Sequence, residues 1–313
     1  MILLLQYTII FASVLSLVAL GGCFSEHSGV INLGLEGIMV MGALGGALAM
    51  NVCGSISNPF LMILIVCFAA IAFGVIYSAL LAVACINFNA DQTLVGTAMN
   101  LLATSIAAVL VRAYNSSLNA SDVSTTLRYV VPKKMFLVKL GDFEFNWMML
   151  LAAVLLVVMY IVLYKTRFGL RLRACGENPQ AANSVGIDVY KMRWAGVLIS
   201  GLLGGLGGVA YVMAGVSEWK FEVGVAGFGF LALAVMIFGQ WKPHKIALAA
   251  LLFGFFRALS NVYTGIGFLS ALNLPATFYN MLPYIISLVV LAFTSQNSAA
   301  PKAEGIPYDK GQR

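Results

Sequence analysis

The fold is decided by the stretch GIMVMGALGGALAMNVCGSISNPFLMILIVCFAAIAFGVIYSALLAVACINFNA, residues 37–90, which contains no Asp, Glu, Lys or Arg. A water-soluble domain cannot hide an uncharged apolar stretch of this length, whereas two membrane-spanning helices of about 20 residues each account for it. The apolar residues are continuous rather than alternating, and lipid offers the backbone no hydrogen-bond partners. Helices, and not barrel strands, are therefore predicted.

The rest of the chain repeats this pattern. Of its 313 residues, 61% are hydrophobic and 10% are charged, whereas a soluble domain has about a quarter charged residues. We therefore predict an all-α polytopic membrane protein with about nine transmembrane helices, eight or ten being the alternatives, in one domain of residues 1–295. The nine apolar stretches are 3–22, 32–52, 60–86, 93–113, 146–164, 194–216, 226–240, 246–264 and 279–295. The stretch 226–240 is short for a full crossing, and 265–278 could hold a half-helix.

The basic residues predict the orientation of the bundle. They concentrate in 165–193, in 241–245 and in the tail, whereas 115–145 and 217–225 together balance basic with acidic residues. Because short cytoplasmic loops are enriched in Lys and Arg, we expect 165–193 and a flexible tail, 296–313, on the cytoplasmic side and 115–145 outside. Nine spans then place the N-terminus outside. The net charge of +6 belongs to these loops, so membrane lipid, and not nucleic acid, is the expected partner of the basic residues.

Catalytic and metal-binding patterns are missing from the sequence. The five cysteines include no CxxC pair, the two histidines form no HExxH motif, and there is neither a GxSxG motif nor a GxxxxGK[ST] phosphate loop. We expect no enzyme activity, no metal and no cofactor bound by this chain, so any ATP must be bound by another polypeptide. A secondary transporter or channel is an alternative, although Glu36 is the only carboxylate clearly within a span.

The connection TRFGLRLRACGENPQAANSVGIDVYKMRW, residues 166–194, is long and basic. Its middle predicts a short helix, because Asn178 can cap the helix, Pro179 suits its first position and Gly186 can end it. A capped helix held between two spans can pass the motion of a partner to the membrane helices. The alternative is a surface loop whose basic residues meet lipid headgroups.

This connection resembles the coupling segment of ABC importer permeases, in which a helix of small residues followed by Gly docks into the ATPase. Ala182 and Gly186 keep the Ala-x-x-x-Gly spacing, and Glu177, Asn178 and Pro179 precede them. The resemblance assigns contact with the ATPase to these five residues.

Other stretches make the resemblance more specific. GENPQAANSVGI (176–187) is similar to the branched-chain amino acid/ribose permease group, and GGCFSEHSGVINLGLEGIMVMGA (21–43) is similar to the nucleoside-type branch of that group. GTAMNLLA (96–103) and GFGFLALAVMIFGQWKP (227–243) match as well. The resemblance covers residues 5–295, which is essentially the whole membrane domain.

The resemblance implies a type II-like ABC importer permease bundle that takes up nucleosides by alternating access across the bacterial cytoplasmic membrane. It implies a second, similar permease subunit in a heterodimer, a cytoplasmic ATPase that binds ATP and Mg²⁺, and an extracytoplasmic substrate-binding lipoprotein. Uptake of simple sugars such as ribose, or of branched-chain amino acids, is the alternative within the group.

Polar residues inside the spans are candidates for the translocation path or for helix bracing, because such residues are costly in lipid. Asn32 and Glu36 stand one helical turn apart and share a face. Thr97, Asn100 and Thr104 share a face of the fourth span. Neutral amides and hydroxyls suit the ribose hydroxyls and base edges of a nucleoside. We expect Asn100 to line the path, with an interhelical hydrogen bond as the alternative, and Glu36 to brace the permease.

Four further expectations concern local structure. Arg257, the only charged residue within 246–301, could pair with Glu36. Gln240 and Trp241 are expected at the membrane interface, and Ser25–Gly29 is expected to form a polar turn. Close helix packing is predicted by three small-residue spacings, Gly42-x-x-x-Gly46, Gly201-x-x-x-Gly205 and Gly204-x-x-x-Gly208.

Overall fold

The computed structural model describes residues 2–129, 134–141, 143–214, 218–265, 275–294 and 299–311. These residues are mostly helical. The α-helices are α1 (Ile2–His27), α2 (Leu35–Val52), α3 (Pro59–Ala82), α4 (Gln92–Leu118), α5 (Trp147–Lys165), α6 (Arg167–Glu177), α7 (Pro179–Ser184), α8 (Val189–Val212), α9 (Phe228–Phe238), α10 (Pro243–Val262) and α11 (Ala276–Thr294). The strands are β1 (Thr126–Arg128), β2 (Leu137–Leu140), β3 (Phe143–Asn146) and β4 (Glu218–Lys220).

Nine of these helices occupy the nine apolar stretches that the sequence analysis predicts as spans. Seven of them, α1 to α5, α8 and α10, are long and apolar enough to cross a membrane, and the apolar parts of α9 and α11 are shorter. The all-α polytopic fold is confirmed, and nine is the approximate number of spans in the described part of the chain. α9 has 11 residues, so its shortness is confirmed as well. The half-helix considered for 265–278 falls mainly on residues 266–274, outside the described residues.

α8 lies at the centre of the bundle and contacts its neighbours backbone to backbone. A Cβ atom added to Gly42 of α2 would lie 2.3 Å from Cα of Gly205, and one added to Gly208 would lie 2.0 Å from the carbonyl oxygen of Met39. No side chain larger than hydrogen fits at such distances, and lipid provides no hydrophobic force that would draw helices together across a larger gap. The close packing predicted from the small-residue spacings is confirmed for α2 and α8.

The bundle has two distinct ends. The hairpin end carries the antiparallel pairs β1–β4 and β2–β3 and the start of α1, where the backbone N–H of Glu144 donates to Gln6 (3.5 Å). The tail end carries the last turn of α1, α6, α7, the start of α8 and residues 299–311, where the N–H of Ala303 donates to the carbonyl of Gly176 (2.8 Å). The start of α1 and residues 299–311 therefore lie at opposite ends.

The tail differs from the flexible segment expected from its composition. Residues 299–311 lie against α6 and α8, with the side chains of Ala303 and Tyr308 only 6% and 3% exposed. Composition describes the segment only on average, so it does not reveal that Ala303 and Tyr308 are buried among small and polar neighbours. The tail thus covers part of the tail end of the bundle.

The polar turn expected at Ser25–Gly29 is wrong in its position. α1 continues through His27, so Ser25 and Glu26 lie in the last helical turn, and both are buried. Trp241, expected at the membrane interface, is only 5% exposed, and its indole N–H donates to the Glu26 carboxylate. A buried carboxylate needs a donor, and this one draws the indole inward.

Candidate functional site

The chain between α1 and α2 is held inside the bundle by Asn32, which is completely buried. Its amide nitrogen donates to the Ser200 hydroxyl of α8 (2.8 Å), and its amide oxygen accepts from the N–H of Gly34 (3.1 Å). Ser200 is 11 residues into α8, about 16 Å from its start at 1.5 Å per residue. α2 therefore begins at mid-depth of the bundle rather than at its surface.

Asn100 of α4 braces the same break from the other side. Its amide oxygen accepts from the N–H of Gly37 (2.8 Å), and its amide nitrogen donates to the carbonyl of Leu33 (2.8 Å). These groups have no helical partner because they lie at the start of α2. The geometry matches the interhelical hydrogen bond that the sequence analysis left as the alternative, and Asn100 is half-buried.

Glu36 joins the start of α2 to the start of α9. Its two carboxylate oxygens accept from the N–H groups of Gly227 (2.7 Å) and Gly229 (2.6 Å). The first N–H groups of a helix lack partners and carry partial positive charge, so a carboxylate there satisfies and stabilises them. A Cβ atom on Gly229 would lie 2.4 Å from the N atom of Glu36, which shows how closely the two helix starts approach.

The connection that delivers α9 to this point has an unusual backbone. Gly224, Ala226 and Gly227 all have positive φ values, 63°, 53° and 80°. α9 is about 16 Å long at 1.5 Å per residue, about half the hydrocarbon thickness of a bilayer, and its far end reaches the tail end of the bundle. Two helices therefore begin inside the bundle and are tied to each other by one carboxylate, an arrangement that transporters use at their binding sites.

The pair considered between Glu36 and Arg257 does not form in the described structure. Both Glu36 oxygens are occupied by the backbone of α9, and the Arg257 guanidinium instead faces the rings of Phe228 (5.3 Å) and Phe11 (5.9 Å). Tyr284 of α11 lies nearby and donates its hydroxyl to the carbonyl of Ala226 (2.9 Å). Arg257 thus stabilises the aromatic wall behind the start of α9.

The remaining path candidates lie on the outward face of α4. Thr97 is exposed and Thr104 is half-buried, and both hydroxyls donate to carbonyls of their own helix. Thr104 also borders the connection before α9, because a Cβ atom on Gly224 would lie 3.1 Å from its methyl group. α4 therefore presents hydroxyls at the level of the two helix starts.

The short helix predicted in the long basic connection is confirmed as α7. The Asn178 side chain accepts from the N–H of Ala181 (3.0 Å), Pro179 is the first helical residue, and Gly186 follows the helix with a φ of +84°. Ala182 is buried, whereas Glu177, Asn178 and Gly186 are exposed. α7 therefore presents polar groups and a left-handed glycine turn to the outside while its apolar side is anchored.

Two residues that fix the tail beside α7 escape sequence reasoning. Arg193, 1% exposed, donates to the carbonyl of Ile306 (2.9 Å), and Tyr308 packs beside it in the tail. In the sequence, Arg193 is indistinguishable from an ordinary basic residue of a loop. The available signal for Tyr308 is that it is an aromatic residue within a tail of small and polar residues. A cavity of about 730 Å³ borders α7, α8 and Tyr308 on their outer side.

Comparison with known proteins gives a consistent result along nearly the whole chain. The family model described as branched-chain amino acid transport system / permease component matches residues 4–291. The nucleoside ABC transporter permease protein NupC of Lactococcus lactis subsp. cremoris is 39% identical over 312 residues, 97% of this chain and 96% of NupC. The guanosine ABC transporter permease protein NupQ of Bacillus subtilis is 38% identical over 313 residues, covering 98% and 96%. The nucleoside ABC transporter permease protein NupB of the same Lactococcus is 31% identical over 125 residues, 36% of this chain and 34% of NupB.

Proposed function

Because the chain belongs to the family of branched-chain amino acid transport system permease components, a multi-pass membrane family, we propose that it is the permease subunit of an ABC importer for nucleosides. The family that the sequence motifs indicate is confirmed. The observation that carries the substrate is the similarity, along more than nine-tenths of both chains, to permeases named for nucleosides and for guanosine.

The proposed partners are an ATPase, a second permease subunit and a substrate-binding lipoprotein. The sequence has no phosphate-binding loop, so a separate ATPase supplies ATP hydrolysis and binds Mg²⁺. One Lactococcus has two nucleoside permease proteins that resemble this chain, which supports a second permease subunit in the assembly. An extracytoplasmic substrate-binding lipoprotein completes the proposed importer.

The tail end faces the cytoplasm in this proposal. It carries the basic connection 165–193 and α7, and the excess of Lys and Arg in short cytoplasmic loops supports that side. The exposed residues Glu177, Asn178 and Gly186 then meet the ATPase, and the hairpin end meets the binding protein. The chain would lie in a bacterial cytoplasmic membrane.

Alternating access uses the two helix starts. A push on α7 moves α8, which contacts α2 through glycines, and Glu36 carries the motion from α2 to α9. The nucleoside passes beside α4, where Thr97 and Thr104 offer hydroxyls, while Asn32, Asn100 and Arg257 brace the surrounding helices.

The test is uptake of labelled guanosine and uridine by cells that contain or lack this chain. We expect uptake that stops when ATP is depleted, continues when the proton gradient is collapsed, and is not reduced by excess ribose or leucine. Competition by ribose or by leucine would reassign the substrate to a sugar or an amino acid. Loss of uptake on collapsing the gradient, with ATP kept high, would instead indicate a secondary transporter.

A further inference from the structure

The tail shares a small hydrophobic core with α6, α7 and the start of α8, which we call the coupling region. This core is separate from the main core of the bundle. Four elements contribute one buried residue each: Cys175 from α6, Ala182 from α7, Val189 from α8 and Tyr308 from the tail. The four side chains are between 0% and 3% exposed. A displacement of any one of these four elements therefore changes the packing of the other three.

Hydrogen bonds fix the tail in this position. The N–H of Ala303 donates to Gly176 of α6 (2.8 Å), and the N–H of Gly305 donates to the carbonyl of Gly29 in the turn after α1 (3.3 Å). The guanidinium of Arg193 donates to the carbonyl of Ile306, as described above. The tail thus bridges α1, α6 and α8 within four residues.

Arg193 depends on the tail for its pairing. A buried guanidinium is costly unless acceptors or aromatic faces surround it. Ile306 supplies the acceptor, and the Tyr308 ring lies 5.9 Å from the guanidinium carbon. The Tyr190 hydroxyl donates to the Tyr308 carbonyl (3.3 Å) and the two rings meet edge to face, which orients the Tyr308 ring. The tail therefore both covers Arg193 and supplies its acceptor.

α7 depends on the same contacts. It has six residues, and isolated helices shorter than about 12 residues are marginal in water. Its position relative to α8 must therefore come from tertiary packing, which Ala182 provides through the core shared with Tyr308.

We propose that tail residues 303–308 are a working part of the coupling region, in which Tyr308 and Arg193 are positioning residues that hold α7 against the start of α8. A displacement imposed on α7 then reaches α8 instead of being lost in a loose connection. The proposal rests on the proposed function, in which an ATPase pushes on α7. It adds a segment that lies more than 100 residues further along the chain from α7.

The first test asks whether the tail covers the shared core, and it needs no substrate. Burial raises the pKa of the Cys175 thiol to about 11, so the native protein should react slowly with a water-soluble maleimide. Y308A should speed labelling of Cys175 about tenfold or more, whereas Y308F keeps the ring and K310A changes only an exposed tail residue, so both should label like the native protein. Mass spectrometry of the Cys175 peptide measures the rate.

The second test measures coupling in the complete importer in proteoliposomes, as nucleoside taken up per ATP hydrolysed. We expect Y308A to lower this ratio about fivefold, within the range seen when coupling between two sites is altered, with Y308F and K310A unchanged. A tail that only adds stability would lower uptake and hydrolysis together and leave the ratio intact.

Each result decides the proposal. Equal Cys175 labelling in Y308A and the native protein overturns the tail's position, and faster labelling with an unchanged ratio overturns its role in coupling. If the native importer takes up no nucleoside, the proposed substrate is wrong. In that case the role of the tail is tested by the amount of ATPase that the purified permease retains. Y308A should retain less ATPase than Y308F and K310A, and equal retention overturns the proposal.

Discussion

At the scale of single residues, Glu36 is the side chain on which the two internal helix starts depend. Its carboxylate accepts from backbone N–H groups at the start of α9, those of Gly227 and Gly229 among them, while its own backbone lies in the first turn of α2. Replacement of the carboxylate by an amide places an NH₂ group opposite one of these donors. We expect E36Q to lower the free energy of unfolding by about 1–2 kcal/mol and to reduce uptake.

Thermal unfolding in detergent and nucleoside uptake check this prediction. E222Q is the matched control, because Glu222 is a carboxylate at the hairpin end that pairs with Lys220 at the exposed surface. Surface ion pairs contribute little, so E222Q should unfold like the native protein. Equal unfolding temperatures for E36Q and E222Q would contradict the bracing role.

The pH dependence of the tail is set by Glu304. Burial raises the pKa of its carboxyl group to about 7, from an ordinary value of 4.5, and one of its oxygens has no hydrogen-bond partner. Glu304 in turn acts electrostatically on the Glu26 carboxyl in α1, and Arg193 of α8 donates to the neighbouring Ile306. The docked tail keeps its proton more tightly than the free tail, so docking is strongest at acidic pH and weakens as pH rises from about 4.5 to 7.

E304Q removes this titration. Tryptic cleavage at the exposed Lys302 should become faster between about pH 5.5 and pH 7 in the native protein, and level off above pH 7, after correction for the pH dependence of trypsin with a reference peptide. It should change little with pH in E304Q, and K310A should follow the native protein. Cleavage that is equally pH-dependent in E304Q would show that another group controls docking.

The identity of the important residues could be predicted better than their roles. Asn32, Glu36 and Asn100 stand out because polar groups inside a span are costly. Their partners are mostly backbone groups at the breaks before α2 and α9, and the sequence does not show which helix starts will meet. Glu26 and Arg193 have no such signal, because charges at the ends of spans are ordinary until a distant segment covers them.

At the scale of elements, α7 was predictable because all its determinants are local. The cap, the first-position proline and the glycine after the helix lie within nine residues of each other.

G186A places a Cβ at a φ of +84°, which costs about 1–2 kcal/mol, although no atom lies within 4 Å of the new methyl group. We expect G186A, and likewise E177A, to lower the ratio of uptake to ATP hydrolysis while membrane insertion stays intact.

G141A is the matched control for G186A. Gly141 has a φ of +65° and equally open surroundings, but it lies in the β2–β3 hairpin at the opposite end. G141A should carry the same strain and leave the ratio unchanged. Normal uptake in both the G186A and E177A proteins would remove the coupling assignment.

The contact between α2 and α8 sets a limit on what the elements tolerate. G42A would bring a methyl group to 2.3 Å from Cα of Gly205, so the helices must separate, and overpacking of this kind costs about 1–3 kcal/mol. G54A is the control, because its new methyl group would meet nothing closer than 3.4 Å. We expect a lower unfolding temperature for G42A alone, measured in detergent. Equal temperatures would mean that α2 and α8 are not in this contact.

At the scale of the whole molecule, the outward face of α4 differs in polarity from the outward face of α3. The outward side chains of α3 are apolar, with Phe68 and Ile76 at least 70% exposed. The outward face of α4 instead includes Thr97 and Ser105 among its apolar residues. Both hydroxyls donate to carbonyls of their own helix, and in the proposed importer this face of α4 would meet a second permease subunit and a water-filled path between the two subunits.

A pair of cysteine substitutions distinguishes the two faces. In the assembled importer, T97C should react with a water-soluble maleimide, because thiolate formation needs water, and bound nucleoside should slow the reaction. I76C should react slowly with or without nucleoside, because its thiol lies in hydrocarbon. Each substitution is made in a chain whose five native cysteines are replaced by alanine or serine. If T97C reacts as slowly as I76C, the face of α4 is covered by lipid, and the path must be sought on another side of the two helix starts at Glu36.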